Sequence, residues 1–243
     1  ETRAACLKED WCDAVFETPE EAVKKADFII LCPPVSVIHP LLEAIIPHVE
    51  KGTILTDVGS TKQAICNSAK KVANDRFEFI GSHPMAGSDK SGMEFADEKL
   101  FEKGTCFVTP QDNSQEAIET VSKFWETVGM NVSIATPEEH DTIVAHVSHL
   151  PHLTAVSLCS LLAKKGNEWK EHSGPGLKDT TRVAGGSPDM WLDIIEQNKK
   201  PILDVIASLK TELSELEGFI KNNSREDIEK MLHRARDFRR SCD

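Results

Sequence analysis

Apolar positions in the first half of the chain gather into short runs separated by polar, small or proline-rich breaks. "DFIILC" (27–32), "GTILTDVG" (52–59), "FEFIG" (77–81), "TCFVTP" (105–110) and "NVSIA" (131–135) are runs of this kind. Continuous apolar stretches this short suit strands buried on both faces. Between them apolar residues recur at three- and four-residue spacing, in "VIHPLLEAIIPHV" (interrupted by prolines), "TKQAICNSAKKVA" (61–73) and "SQEAIETVSKFWETVG", which ends on a glycine stop. Strands alternating with helices predict a parallel or mixed α/β sheet with crossover helices.

The period changes near residue 136. In "TPEEHDTIVAHVSHLPHLTAVSLCSLLAKKG", Thr136 as N-cap, Pro137 at the first helical position and Glu139 two further on form a capping box. A Ser-Pro start recurs in "SPDMWLDIIEQN", and "KPILDVIASLKTELSELEGFIKN" and "SREDIEKMLHRARDFRR" complete the chain with no strand signal. The expected organisation is an α/β domain over residues 1–135 and an all-helical domain over 136–243. Ile202, Leu203, Val205, Ile206, Leu209, Leu213, Leu216 and Ile220 cover more than one helical stripe. A second apolar surface must therefore be buried, and a two-fold homodimer of interleaved helical halves is the expected solution.

Composition narrows the class of partner. The 243-residue chain is 40% hydrophobic and 28% charged, ordinary for a globular protein. Its formal net charge of −12 argues against nucleic acid or an anionic membrane surface as partner. No apolar run reaches the roughly 20 residues of a membrane span, and the opening "ETRAACLKED" is unlike a signal peptide. Seven irregularly spaced cysteines without a CxxC pair read as free thiols of a reducing compartment, with no zinc site of that type. A cytoplasmic location is expected.

Candidate chemistry collects at strand ends. Ligands of an open parallel sheet bind beyond the carboxyl ends of its strands. Three such ends carry small, polar or histidine residues: "CPPV", "DVGSTK" and "GSHPMAGSDKSG". They bring Cys32, Pro33, Pro34, Gly59, Ser60 and His83 to one edge. His83, opening what reads as a loop, is a candidate general base, because imidazole titrates near neutrality. It could equally be a turn residue. Ser60 followed by Gln63 is a capping box for the 61–73 helix as well as a candidate polar group, and Asp57 could simply bond its own loop amides. In the helical half, His146, His149 and His152 are spaced as neighbours on one face, but Pro151 interrupts them and no metal site is expected. Arg182, set among small residues in "GLKDTTRVAGGSP", is either a surface arginine or a partly buried guanidinium able to grip a carboxylate.

Together "DVGSTKQ", "GSHPMAGSDKSG", "LFEKGTCFVTP", "EEHDTIVAHVSHLPH" and "GPGLKDTTRVAGGSPDMW" resemble, in order and spacing, the prephenate/arogenate dehydrogenases of tyrosine biosynthesis. The resemblance runs from about residue 14 to 200. It implies a Rossmann-like dinucleotide-binding domain followed by a helical substrate and dimerisation domain. The implied reaction is oxidative decarboxylation of prephenate, with NAD, or NADP, accepting a hydride while a ring carboxylate leaves as carbon dioxide. Carried onto this sequence, the family pattern makes His83 the base acting on the ring hydroxyl and puts Ser60 between nicotinamide and that histidine. Arg182 grips a substrate carboxylate, His149 shares the pocket and Trp191 walls it. Asp89, where many relatives have Glu, belongs to a gating ion pair.

The same family pattern begins with a strand, a GxGxxG turn, a helix and a second strand. This sequence contains no GxGxxG. The expectation is that the match begins in the helix after that second strand, and that NAD binds weakly without the pyrophosphate turn. Arogenate dehydrogenase and an inactive paralogue acting in binding or assembly are the alternatives. A β-hydroxyacid dehydrogenase fits "SHLPH" and "DTTRVAGGSP" poorly.

Overall fold

A computed structural model describes residues 2–87, 92–166 and 168–242. Two short helices, α1 (Thr2–Cys6) and α2 (Pro19–Ala22), precede strand β1 (Phe28–Leu31). Helix α3 (Val35–Ile45), β2 (Thr53–Asp57), α4 (Gln63–Lys71) and β3 (Phe77–Pro84) follow. Then come β4 (Thr105–Thr109), α5 (Gln115–Thr127) and β5 (Asn131–Ile134). The five strands form one sheet in the order β1-β2-β3-β4-β5. It is parallel except between β3 and β4, so the sheet is mixed.

Each strand of the sequence pattern is present, with one change of consequence. β3 runs three residues past "FEFIG", carrying Ser82, His83 and Pro84 into the ladder against Val108, Phe107 and Cys106. His83 therefore stands on a strand and not on a loop. The antiparallel partner supplies the reason: β4 returns alongside β3 and pairs with polar residues that alone give no strand signal.

Strand alternation sorts the core onto two faces. Phe77 and Phe79 of β3 join Ile38, Leu42 and Ile45 of α3 on one side. Ile80 joins Val108 and the Ala117, Val121 and Trp125 stripe of α5 on the other. Fully burying a side chain of this size stabilises by about 1.5–3 kcal/mol, so these faces fix the sheet and hence its strand ends.

After β5, the described residues are helical: α6 (Pro137–Val144), α7 (Leu150–Ala163), α8 (Glu168–Glu171), α9 (Pro175–Thr181), α10 (Pro188–Gln197), α11 (Lys199–Lys221) and α12 (Arg225–Arg240). The capping box at Thr136 and Glu139 is formed in full. A π turn, Ala145–His149, joins α6 to α7 just ahead of Pro151. Proline has no N–H to give to the carbonyl four residues back and crowds it, and the wider turn relieves that conflict.

The chain forms two compact units, residues 1–199 and 200–243. In the second, Arg234 of α12 bonds Glu212 of α11 at 2.9 Å. Leu213, Leu216, Met231, Ala235 and Phe238 line an open groove between these helices. Leu213 and Phe238 are exposed there. No helix among the described residues is long and apolar enough to cross a membrane.

Candidate active site

The carboxyl ends of β1 and β2 open into a cavity of about 610 Å³ whose lining includes Cys32, Pro33, Pro34, Gly59 and Ser60. Five of the six residues expected at this edge thus meet in one place, and His83 is not part of the lining. Ser187, Asp189, Met190 and Asp193 close the opposite wall. Two bonds hold α10 there: Ser36 to Asp193 at 2.5 Å and Thr61 to Gln197 at 2.6 Å. At Gly59 a side chain would need its neighbours to shift. A Cβ there would lie 2.6 Å from Ile65 Cδ1 and 2.8 Å from Asp57 Oδ2.

Behind the cavity lies a buried charged pair. Asp57, the last residue of β2, accepts from the backbone N–H groups of Gly59 (2.8 Å) and Ser82 (3.1 Å) and from Lys62 Nζ. Lys62 is fully buried and also donates to the carbonyl of Ser82 at 2.7 Å. Thr56 and Ser82 share a hydroxyl–hydroxyl bond of 2.6 Å. A buried charged pair needs further hydrogen bonds to offset the loss of water, and here Asp57 accepts three and Lys62 Nζ gives two. The pair ties the β2 turn to the residue beside His83.

His83 is 8% exposed. Its Nδ1 lies 2.8 Å from Nε2 of His140, and its Nε2 is bonded to no described residue. His140 Nδ1 lies 2.8 Å from Asp141 Oδ1. Asp141 in turn accepts the backbone N–H of Lys62 at 2.7 Å and of Gln63 at 3.0 Å, capping α4. That cap corrects the expectation for Ser60. The N-cap is Lys62, without a cap from its own side chain, because a carboxylate from α6 occupies the helix end instead. Asn198 closes the cluster, donating to the Asp141 carbonyl at 2.8 Å and lying 3.1 Å from His149 Nδ1.

Burial sets the electrostatics. It holds His83 well below its usual value, and the neighbouring charges of His140, Lys62 and His149 push the same way. His140 is also lowered by burial, against the opposing pull of Asp141. Burial takes His149 down to about 4, again opposed by Asp141. These rings are neutral at physiological pH. Burial also raises the thiols of Cys66 to about 11 and Cys106 to about 12, leaving both unreactive near neutrality.

His149, on the π turn, meets the edge of Trp191 with ring centroids 5.9 Å apart, and His152 stacks flat on the same indole at 3.5 Å. Gly186 permits this approach, since a Cβ would sit 3.0 Å from the Trp191 nitrogen. His146 is exposed and bonds the Thr142 carbonyl, so the three-histidine face divides. The extra residue of the π turn shifts the register between 146 and 149. Of the two readings left open for Arg182 the structure shows the exposed one: it opens a 3-10 turn, Arg182–Gly185, with its side chain in solvent. Asp89 lies outside the described residues.

Sequence reasoning passed over Lys62, Asp141, Asn198 and the pairing of His140 with His83. A lysine five residues after an aspartate in "DVGSTK" and the adjacent "HD" at 140–141 were the available signals.

Comparison with known proteins gives two family matches that together span most of the chain. The model for "Prephenate dehydrogenase, nucleotide-binding domain" matches residues 2–134, and that for "Prephenate dehydrogenase, dimerization domain" matches 136–234. A prephenate dehydrogenase of Bacillus subtilis is 33% identical over 98% of this chain. The alignment spans 66% of that relative, just under two thirds of its length. A crystal structure of prephenate dehydrogenase from Aquifex aeolicus, in complex with hydroxyphenyl propionate and NAD+, is 27% identical with a TM-score of 0.91, covering 99% of this chain and 85% of that one. Synechocystis arogenate dehydrogenase is 29% identical with a TM-score of 0.87, covering 100% and 88%.

Proposed function

The chain belongs to the prephenate dehydrogenase family, and on that premise we propose that it oxidatively decarboxylates prephenate to 4-hydroxyphenylpyruvate with NAD(P), in tyrosine biosynthesis. It does so as a cytoplasmic homodimer, with residues 1–135 as the dinucleotide-binding domain and 136–243 as the helical substrate and dimerisation domain. One observation carries the reading. His83 is buried and neutral, one ring nitrogen is committed to His140, and the other is bonded to no described residue. That is the state a general base needs before it meets an alcohol.

The residues at the strand ends fit the nicotinamide end of the cofactor. Gly59, where a side chain would need its neighbours to shift, lets the backbone come close, and Cys32, Pro33, Pro34 and Ser60 would flank the ring. They do not account for the pyrophosphate: among the described residues the cavity lining holds no lysine or arginine, and the sequence has no GxGxxG. The nicotinamide, when bound, supplies the hydride acceptor.

The chain's own groups do the rest. His83 takes the ring hydroxyl proton as the carbon–hydrogen bond gives up its electron pair. The ring carboxylate then leaves as carbon dioxide, the ring becomes aromatic, and the proton returns to the phenolic oxygen. Aromatisation drives the step, so the protein has chiefly to orient and polarise. Ser60 sits on the cavity wall two residues before Lys62, which holds the carbonyl next to His83. His149 and Trp191 would wall the substrate, with the exposed Arg182 gripping its carboxylate.

Arogenate is a second substrate for the same chemistry, favoured by the likeness to the Synechocystis enzyme. The test is to supply the protein with prephenate or arogenate, and with NAD+ or NADP+, following reduced nicotinamide and phenolic product together. Equal amounts of both products from at least one pairing are expected. No turnover at millimolar cofactor, with prephenate still bound, would replace this reading by a binding role.

A further inference from the structure

The hydrogen bonds behind His83 run in a fixed direction. Asp141 receives two backbone N–H groups from the start of α4, at 2.7 and 3.0 Å, one on each oxygen. A carboxylate so placed is an acceptor only. His140 Nδ1, 2.8 Å from Asp141 Oδ1, must therefore carry hydrogen. A neutral imidazole has one N–H, so His140 Nε2 is bare and can only accept. Its neighbour at 2.8 Å, His83 Nδ1, must then be the donor. By the same count His83 Nε2 is left bare. Asp141 and His140 have no exposed surface to speak of, at 1% and 0%, so water does not compete for these bonds.

We propose that His140 and Asp141 are positioning residues, which together hold His83 as its Nδ1–H tautomer and leave Nε2 bare to take the substrate's hydroxyl proton. The kinetic part rests on the proposed dehydrogenase activity; the tautomer does not. When the substrate O–H bond breaks, the proton goes to His83 Nε2 and the ring becomes imidazolium. His83 Nδ1–H still donates to His140, and the new charge faces the Asp141 carboxylate through that ring. No proton need leave His140. The arrangement is the carboxylate–imidazole logic of orientation and tautomer choice, extended by one ring.

The experiment is a long-range 15N–1H correlation spectrum of the full chain labelled with 15N-histidine at neutral pH, the His83 signals assigned by their loss in His83→Asn. The wild type should show a protonated Nδ1 and a bare Nε2 at His83. Asp141→Asn keeps one oxygen: where that oxygen stays on the Gln63 N–H, the amide nitrogen takes the place of Oδ1, presents a donor to His140 and leaves the Lys62 N–H without its acceptor. The hydrogen bonds then reverse, and the His83 proton should move to Nε2. With prephenate and cofactor, kcat should fall about 10²- to 10⁴-fold, with KM changing only a few-fold. Asp141→Glu should restore the wild-type tautomer and part of the rate. An Nε2–H tautomer in the wild type overturns the proposal, even if Asp141→Asn fails to fold. So does an Asp141→Asn protein in which the His140 proton has moved to Nε2 while the His83 spectrum is unchanged. The expected tautomers in a protein that turns over neither substrate would leave this inference standing and sink the dehydrogenase reading instead.

Discussion

The surroundings of His83 and those of Arg182 are made from opposite materials. Around His83, Asp57, Lys62, Ser82, His140 and Asp141 are buried and bonded to one another, with partners drawn from β2, β3, α4 and α6. Around Arg182 the chain is a short turn of small residues with its arginine exposed. The contrast suits a division of labour. A proton acceptor gains from being held in one orientation and one charge state before the substrate arrives. An exposed guanidinium, by contrast, is free to move to meet a carboxylate.

The largest expected effect is chemical. His83→Asn should leave the fold intact and lower kcat by roughly two to four orders of magnitude, measured by nicotinamide reduction with prephenate. Near-normal turnover would make His83 structural and erase the contrast.

Next in size is the rigidity of the buried side. Lys62→Met strands the Asp57 carboxylate, and breaking a buried pair in this way costs about 3–5 kcal/mol. Urea titration should register that loss, and Asp57→Asn combined with Lys62→Met should recover part of it. A loss under 1 kcal/mol would mean that water reaches the pair.

Acid should act on the same side. His83, His140, His149 and His152 all have folded values below the ordinary one, so the unfolded chain binds more protons between pH 6.5 and about 4. Stability is then complete above pH 6.5 and lost as pH falls toward 4. His149, held at about 4, contributes on the order of 3 kcal/mol of that loss. Urea midpoints at pH 7, 5.5 and 4.5 should fall in that order, and less steeply in His149→Gln. A flat series would contradict the buried, neutral histidines.

The smallest effect belongs to the exposed side. Arg182→Lys keeps the charge and loses the planar fork, so substrate KM should rise about tenfold, as for a lost charge-assisted bond, with urea stability unchanged. An unaltered KM would return Arg182 to the ordinary surface.

The same contrast explains what the sequence could reveal. Periodicity located all five strands and the helical second half, because each rests on its own apolar spacing. The strand-end cavity was legible too, since Cys32, Pro33, Pro34, Gly59 and Ser60 follow directly from where β1 and β2 stop. What escaped were pairings across long stretches of chain. A lysine reads as surface until Asp57 and the Ser82 carbonyl are seen around it. Asp141 caps a helix that begins 78 residues earlier, and no local pattern records that. The π turn that separates His146 from His149 comes from a proline conflict, which helical spacing does not encode.

The central claim is that His83 waits as a neutral base, and the pH dependence of kcat/KM for prephenate tests it most directly. Because burial and the adjoining charges hold His83 well below 6.5, the profile should stay level from pH 8 through 6.5 and fall only at distinctly lower pH. An acidic limb with its midpoint at 6.5 or above, absent from the residual rate of His83→Asn, would contradict the account.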